Sequence, residues 1–585
     1  MLPAPVRPKD PRISERKDRI ILHFDYDCFY ASVFENEHPS LKSLPLGIKQ
    51  KSILATCNYV ARAKGVKKLM LISEAQKICP DLILMNGEDL TRFRDASKRL
   101  WSFLRAHSWN KRVERLGLDE VFLDVSDMIS YNQGVLNPNA LAESYFQLNR
   151  EDPEKGFAFD ATSFFGCTYP HEYKCSDDSI QNLLYVRLIL ASHLAGYLRH
   201  KLEEDFGYTS TCGVSINKVL AKLAGTKNKP KNQTTLISLR VEDVQDFVGA
   251  HQIRKIPGIG CKISYLVENH VLSRSKKATS HDEEQSAKIT ADEVLAHPDM
   301  SPELLERAIT RPGSEKGIGT KIWNLLHGVD DTEVKEASDV PTQISIEDTY
   351  MSNPLNAPSE LMRELRTLTA SLVRRMHVDL LDDDSTVDEP NARRWLAYPK
   401  TLRLATRAKM RPNIENQQSF SRNSRSQPLP NFVLSLKESK EVIVERLVNE
   451  AIVPLFRRLH HERQGWNLAL INVCVTNMVL TGNEEGNGGG RDISSMFKTQ
   501  DARFREFTVY AKSPPISPEG VLPAVKHEAI AGEEKNTSLS VNIDEEIAEW
   551  EEEDDDDGLL KCSECGCAVP SFAMAAHERF HIMGD

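Results

Sequence analysis

The chain has 585 residues, with 74 Lys and Arg against 85 Asp and Glu, and it is 40% apolar and 27% charged. That balance predicts several globular domains and excludes a collagen-like or wholly disordered chain. No apolar run approaches the ~18 residues that span a bilayer. The Pro-rich, charged start MLPAPVRPKDPRISERKDR lacks the apolar segment of a secretory leader. The 11 cysteines are an odd number scattered along the chain, which fits a reducing compartment better than a disulfide framework.

The net charge of −11 misleads, because residues 541–560 hold 11 acidic side chains (Asp544 to Asp557) and no basic one. The rest of the chain is neutral, yet its charge is uneven. Residues 49–70 carry six basic side chains and no acidic one, residues 211–231 five lysines and no acid, and residues 391–425 nine basic and one acidic. Such blocks read as local polyanion contacts, or as solvated faces.

In chain order, 1–18 reads as a loose arm, and IILHFDYDCFYASV (20–33) starts as an apolar strand and turns polar. Leu90, Phe93, Ala96, Leu100 and Phe103 recur at helical spacing. VERLGLDEVFLDVSD (113–127) predicts two short strands around an acidic pair, and 150–180 an inserted loop. YVRLILASHLAGYLRHKLEEDFG predicts an amphipathic helix, and TCGVSINKVLAKLAGTKNKP a strand running into a helix. A small helical region follows to about 330. Residues 340–480 predict a helix near 358–376, strands in RRWLAYPKTLRLATR and NLALINVCVTNM, and a helix in ESKEVIVERLVNEAIVPLFRRLHH. From 481 apolar density falls, which predicts an acidic tail without a core, ending in a Cys/His cluster.

Four features carry chemistry. Asp25-Tyr26-Asp27 ends the first strand, where alternation puts Ile20, Leu22 and Phe24 on one face and Ile21, His23 and Asp25 on the other. A carboxylate there is costly unless it is paired or binds a metal. Asp119-Glu120 would point to opposite faces of an extended strand, so serving one site requires a bend, as at a hairpin tip. Two such acidic motifs suit hard divalent cations such as Mg²⁺. Tyr59, Arg62, Lys64, Lys67 and Lys68, with Lys218, Lys222, Lys227, Lys229 and Lys231, offer the forks and point charges that a triphosphate needs. Finally, Ile256-Pro257-Gly258-Ile259-Gly260 and Gly317-Ile318-Gly319 precede helices, where Gly-x-Gly turns can hold a DNA phosphate on backbone amides.

DYDCFYASV, ATCNYVARAKGVKKLM, LGLDEVFLDV, GVSINKVLAKLAGTKNKP and IPGIG occur in that order, and over roughly 18–480 the chain resembles the Y-family translesion DNA polymerases. Most of the family has Ser-Ile before the acidic pair; here it is Gly117-Leu118, which, with the run from Lys49 to Arg94, resembles the iota branch more than the eta branch. The resemblance implies an α/β multidomain right-hand fold. The palm would be 19–29 and 100–235, the fingers 30–99, the thumb 236–335 with a helix-hairpin-helix, and the little finger 340–480. A disordered tail would follow over 481–558 and a zinc finger over 559–585.

It also implies roles. Asp25, Asp119 and the Tyr26 carbonyl would hold Mg²⁺ or Mn²⁺, with Glu120 completing the site near the primer 3′-hydroxyl. Tyr30 matches the aromatic that excludes a ribose 2′-hydroxyl, and Thr56, Tyr59, Arg62 and Lys229 match dNTP contacts. Gln50, Lys51 and Ile53 match positions over the templating base, and Gly258 and Gly260 a DNA backbone contact. Asp27 aligns with an acid that the family does not usually use as a ligand. The implied activity is low-fidelity, template-directed DNA synthesis on primer–template opposite and past damaged bases, in the nucleus. An eta-like polymerase, an inactive DNA- and ubiquitin-binding scaffold and a nucleotide cyclase are the other readings.

Cys562, Cys565, His577 and His581 have the spacing of a tetrahedral structural Zn²⁺ site. The segment is similar to the ubiquitin-binding finger of eta-type members, except that Ala573 replaces the acid that finger uses on ubiquitin. Cys167, His171 and Cys175 lack a fourth ligand and read as part of the insertion. Arg491 to Phe497 resembles a degenerate sliding-clamp peptide.

Overall fold

A computed structural model of the chain describes residues 19–171, 182–275, 289–310, 316–350, 353–382, 394–409 and 422–481, with short strands at 559–561 and 568–570. The described residues fall into two compact units, one reaching Ala337 and the other starting at Ser338. The chain is an α/β multidomain protein.

The first unit opens with β1 (Ile21–Tyr26) and α1 (Phe29–Glu37). A small three-stranded sheet follows, with β2 (Leu46–Gln50), β3 (Ile53–Cys57), α2 (Tyr59–Ala63), α3 (Ile72–Ile78) and β4 (Ile83–Asn86). Its order is β3-β2-β4, with β2 antiparallel to β3 and parallel to β4. In the long helix α4 (Thr91–Ala106) Phe93, Ala96 and Leu100 of the periodic set are buried, Leu104 rather than Phe103 takes the next inward place, and Leu90 precedes the helix, half-buried. The chain then forms β5 (Val113–Leu116), β6 (Glu120–Asp124), α5 (Ser126–Val135), β7 (Ser144–Gln147), β8 (Gly156–Phe159) and β9 (Cys167–Tyr169). Next come α6 (Leu183–Phe206), β10 (Ser210–Ser215), α7 (Lys218–Gly225) and β11 (Gln233–Leu236). Helices α8 (Val241–Gly249), α9 (Cys261–Ser275), α10 (Ala291–Leu295), α11 (Pro302–Ile309) and α12 (Ile318–Leu326) complete the unit.

The central sheet has the order β5-β6-β1-β10-β11-β9, so β1 lies between two antiparallel partners. Leu22 and Phe24 share one core with Leu100, Leu104, Leu194 and Leu198. Ile21, on the other face, packs with Phe122, Ala221 and Val334. Helix α7 covers that second face closely. A Cβ at Gly213 would lie 1.9 Å from the Ala221 carbonyl oxygen, so only glycine lets α7 cross β10 there. Asn217 caps α7 by accepting from Leu220 N at 2.8 Å and donates to the Gly328 carbonyl at 2.9 Å.

Two expectations need correction. The stretch 150–180 is not simply a loop: β8 pairs with β7, and β9 extends the central sheet parallel to β11. These strands are too short to show a period. Helix α6 is not amphipathic. Leu188 to Ser192, Leu194 and Ala195 are all buried, because the helix runs through the core rather than along its surface.

The second unit has β12 (Gln343–Thr349), α13 (Pro358–Leu380), β13 (Leu381–Asp382), β14 (Arg394–Trp395), β15 (Ala397–Ala408) and β16 (Asn423–Pro428). Then come α14 (Lys440–Leu447), α15 (Val453–Leu459) and β17 (Leu468–Leu480). Its antiparallel sheet has the order β12-β17-β15-β16. Leu365, Leu372 and Met376 of α13 share a core with Leu402, Leu404, Val473 and Val475. Pro454 cannot donate to the carbonyl four residues back, and the helix widens to a π turn over Val448–Ile452 between α14 and α15.

Candidate active site

β5 and β6 form a hairpin whose turn is Gly117-Leu118-Asp119, and Gly117 takes φ +69°, which a side chain would strain. The turn is stitched to the end of β1: Tyr26 N donates to the Asp119 carbonyl at 2.9 Å, and Asp25 lies opposite Glu120 in register. This is the bend that the sequence required, and it brings Asp25, Asp119 and Glu120 to one edge of the sheet.

Their electrostatics follow from that proximity. Burial pushes the Asp25 carboxyl up; Lys229 offsets part of this, and the charge of Glu120 adds to it. Asp119 is exposed as a residue, yet partial desolvation of its carboxyl, then the charges of Asp25 and Glu120, raise it to about 7. Glu120 goes the other way. Burial would raise it, but the hydrogen bonds and charges of His23 and Lys222 hold it at about 2. Asp27 is buried and fully engaged, accepting from Thr211 Oγ1 at 3.0 Å and from Lys231 N at 2.9 Å. That explains structurally why it stands apart from the other carboxylates.

Among the described residues, no three His, Cys, Asp or Glu side chains already surround one point where a cation would sit. Lysines occupy the carboxylates instead: Lys229 pairs with Asp25, and Lys222 Nζ lies 2.8 Å from Glu120 Oε2. The donors are all hard oxygens, two of them now neutralised by ammonium groups, which is the chemistry that suits Mg²⁺ or Mn²⁺.

Two lysines of the lysine-rich segment are engaged by acids away from this cluster. Lys218 is buried against Glu114, and Lys231 Nζ lies 2.5 Å from Glu203. The segment reads as acid-free only along the chain; the fold supplies the acids from other strands and helices.

On the small sheet, Arg62 Nη2 lies 3.4 Å from Thr56 Oγ1, and its guanidinium stacks 4.6 Å from the Tyr59 ring centroid. The charges of Asp27 and Asp25 reach Tyr59, which burial raises to about 12. Tyr30 stacks on Phe93 with centroids 4.0 Å apart, and the charge of Asp119 reaches it too. Gln50 and Ile53 close the β2–β3 hairpin, with Lys51 at φ +51° in its turn. Gln50 Nε2 donates to the Gly87 carbonyl at 2.8 Å, and Glu88 accepts from Lys51 N at 3.1 Å.

Gly258 takes φ +87° in an exposed turn before α9, and Gly260 accepts from Ser264 N at 2.9 Å. The second Gly-x-Gly turn is occupied: Glu306 accepts from Gly317 N at 2.9 Å and Gly319 N at 2.5 Å. A carboxylate already sits where a phosphate was expected. In the block 391–425, Arg422 pairs with Glu347 at 2.7 Å, and Arg403 and Arg407 lie on β15. Cys562, Cys565, His577 and His581, with Ala573, Cys175, the acidic run and 491–497, lie outside the described residues; Leu559–Lys561 and Ala568–Pro570 pair antiparallel. Sequence reasoning left His23 without a role. Its signal was its place on the Asp25 face of β1.

The impB/mucB/samB family model matches residues 24–226, and the model of that family's C-terminal domain matches 341–488, together more than half the chain. The chain belongs to the impB/mucB/samB family, the Y-family polymerases. It is 30% identical to DNA polymerase iota of Homo sapiens over 463 residues, covering 79% of this chain and 52% of that relative. DNA polymerase iota of Drosophila melanogaster is 33% identical over 368 residues, 63% of this chain and 43% of the relative. DNA polymerase eta of the same fly is 29% identical over 278 residues, 44% of this chain and 31% of the relative. This Y-family chain thus spans about half the length of the iota relatives it matches. Among its described residues, no helix is long and apolar enough to cross a membrane.

Proposed function

We propose that the chain is a template-directed, low-fidelity DNA polymerase of the iota type, which inserts dNTPs opposite and past damaged bases. The observation that carries this reading is the β1–hairpin junction, where Asp25, Asp119 and Glu120 share one end of the sheet and the charge of Asp25 reaches Tyr59. The longer and more extensive matches to iota than to eta relatives favour the iota reading.

In this reading β1, β5, β6 and β10 belong to the palm, the three-stranded sheet to the fingers, α8–α12 to the thumb and the second unit to the little finger. Asp25, Asp119, the Tyr26 carbonyl and Glu120 would hold two divalent cations, Mg²⁺ or Mn²⁺. Such cations neutralise the triphosphate and favour in-line attack by the primer 3′-hydroxyl. Lys229 exchanges Asp25 for a phosphate oxygen when dNTP enters, since its ammonium is already at the site. Arg62 and Tyr59 orient the triphosphate with Thr56. Tyr30, fixed against Phe93, closes the space beside the sugar C2′. Gln50, Lys51 and Ile53 face the templating base, and Gly258 and Gly260 present amides to the DNA backbone.

The tail completes the proposal. Zn²⁺ on Cys562, Cys565, His577 and His581 would order a finger, for which the pairing of Leu559–Lys561 with Ala568–Pro570 gives support. Ubiquitin, bound weakly because of Ala573, and a sliding clamp at 491–497 are its proposed partners, in the nucleus. Primer extension on undamaged and abasic templates tests the central reading. Templated insertion opposite both supports it; no extension with Mg²⁺ or Mn²⁺ rejects it.

A further inference from the structure

His23 and Lys222 converge on a single atom. His23 Nε2 lies 3.1 Å and Lys222 Nζ 2.8 Å from the same oxygen of Glu120, Oε2. Neither side chain is free to wander. His23 is 2% exposed, and its ring packs on Phe122 with centroids 4.6 Å apart. A Cβ at Gly225 would come within 3.0 Å of Nδ1, so the backbone of α7 abuts the ring. Nδ1 has no hydrogen-bond partner among the described residues, which leaves Nε2–H as the ring's donor to Glu120. Lys222 stands on α7, the helix that packs against β10 and β1 through the Gly213 contact.

We infer that His23 and Lys222 are positioning residues that clamp Glu120 through Oε2 and leave Oε1 as the oxygen that faces the reacting groups. The inference rests on the polymerase reading and deepens it. A glutamate carboxylate would otherwise sample several rotamers, and fixing one oxygen by two donors from separate elements removes that freedom. The donors come from β1, the strand beside β6, and from α7, so the clamp ties Glu120 to a neighbouring strand and to the helix packed on β1 and β10. Among the described residues Asp25 and Asp119 show no such double anchor: Asp25 pairs with Lys229, a residue beyond the end of α7.

The test is single-nucleotide incorporation by the full chain on primer–template, with kcat, KM for dNTP and DNA affinity measured separately. His23→Phe and Lys222→Met should each lower kcat about 10- to 100-fold, the usual effect of removing a hydrogen-bond partner behind a ligand. KM and DNA affinity should stay within about twofold. Lys222→Arg and His23→Gln, which retain a donor, should recover most of the rate. In a Glu120→Gln background, His23→Phe should add less than about twofold, because residues acting through one group are not additive. Loss carried by KM or DNA affinity, failure of both conservative variants to recover, or a full additional loss without Glu120 would each overturn the inference. Thermal unfolding of each variant separates these outcomes from misfolding, and His23→Gln is the informative variant if His23→Phe unfolds. A wild-type chain that incorporates nothing overturns the polymerase reading and the inference with it. An active wild type whose variants keep its rate overturns the inference alone.

Discussion

Replacing Lys218 with Met should destabilise the first unit by about 3–5 kcal/mol, the range for breaking a buried ion pair from one side. The reason lies in its surroundings. Lys218 Nζ sits 3.1 Å from both oxygens of Glu114, and the two side chains are only 9% and 7% exposed. Glu114 also accepts from Lys335 N at 2.9 Å, while the ammonium lies 5.6 Å from the Phe122 ring centroid. Met keeps the apolar stem but leaves the Glu114 carboxylate with one backbone donor in a dry site. Glu114→Gln, which strands the ammonium, should cost a similar amount. The double variant Lys218→Met/Glu114→Gln contains no buried charge at this site and should recover at least about 2 kcal/mol of the summed loss. Urea unfolding of the full chain, followed by tryptophan fluorescence, reads all three. Singles that each cost under about 1 kcal/mol, with additive effects, would show that water reaches the pair.

Three further outcomes follow from the geometry. Tyr30→Ala should raise the ratio of ribo- to deoxynucleotide insertion, because the ring held on Phe93 no longer collides with a 2′-hydroxyl; an unchanged ratio places the sugar gate elsewhere. Replacing Arg403 and Arg407 with Gln should reduce the salt slope of duplex binding by roughly 0.9 per lost phosphate contact, whereas an unchanged slope would mean that these arginines face away from DNA. Burial lowers the pKa of His107 and His251 below 6.5, so the folded chain holds them neutral and the unfolded chain takes up protons first. Their stability contribution is complete above about pH 6.5 and falls as pH drops below it. His107→Gln should flatten the decline in melting temperature from pH 7 to pH 5, and a slope equal to wild type would contradict the assignment for that residue.

The legibility of this chain varied with the range of the interactions involved. Helix α4 and the β10–α7 passage were plain, because their apolar spacing is local and their burial follows it. The bend at Asp119-Glu120 could be required from alternation alone, and Gly117 supplies it. Strand β16, NSRSQP, escaped because an edge strand needs no apolar face and its pairing partner lies on β15. The pairing of the lysine segment is hidden from the sequence for a related reason. Its counter-charges, Glu114, Glu120, Asp25 and Glu203, come from other elements of the chain, and no window along the sequence shows them together. Glu306 against Gly317 and Gly319 is the same kind of long-range surprise. His23 needed the third dimension most, since its role depends on which side of β1 helix α7 covers.

The most direct test of the account is single-turnover dNTP incorporation by Asp119→Asn on primer–template with saturating Mg²⁺. Asparagine preserves the size of the side chain and the Tyr26 N to Asp119 carbonyl contact, which is made by the backbone. It removes only the charge that a divalent cation requires. The account predicts that incorporation falls by at least about a thousandfold, several kcal/mol of transition-state stabilisation, while affinity for primer–template stays within about twofold. Incorporation near the wild-type rate with DNA binding intact would contradict the placement of the reaction at the β1–hairpin junction.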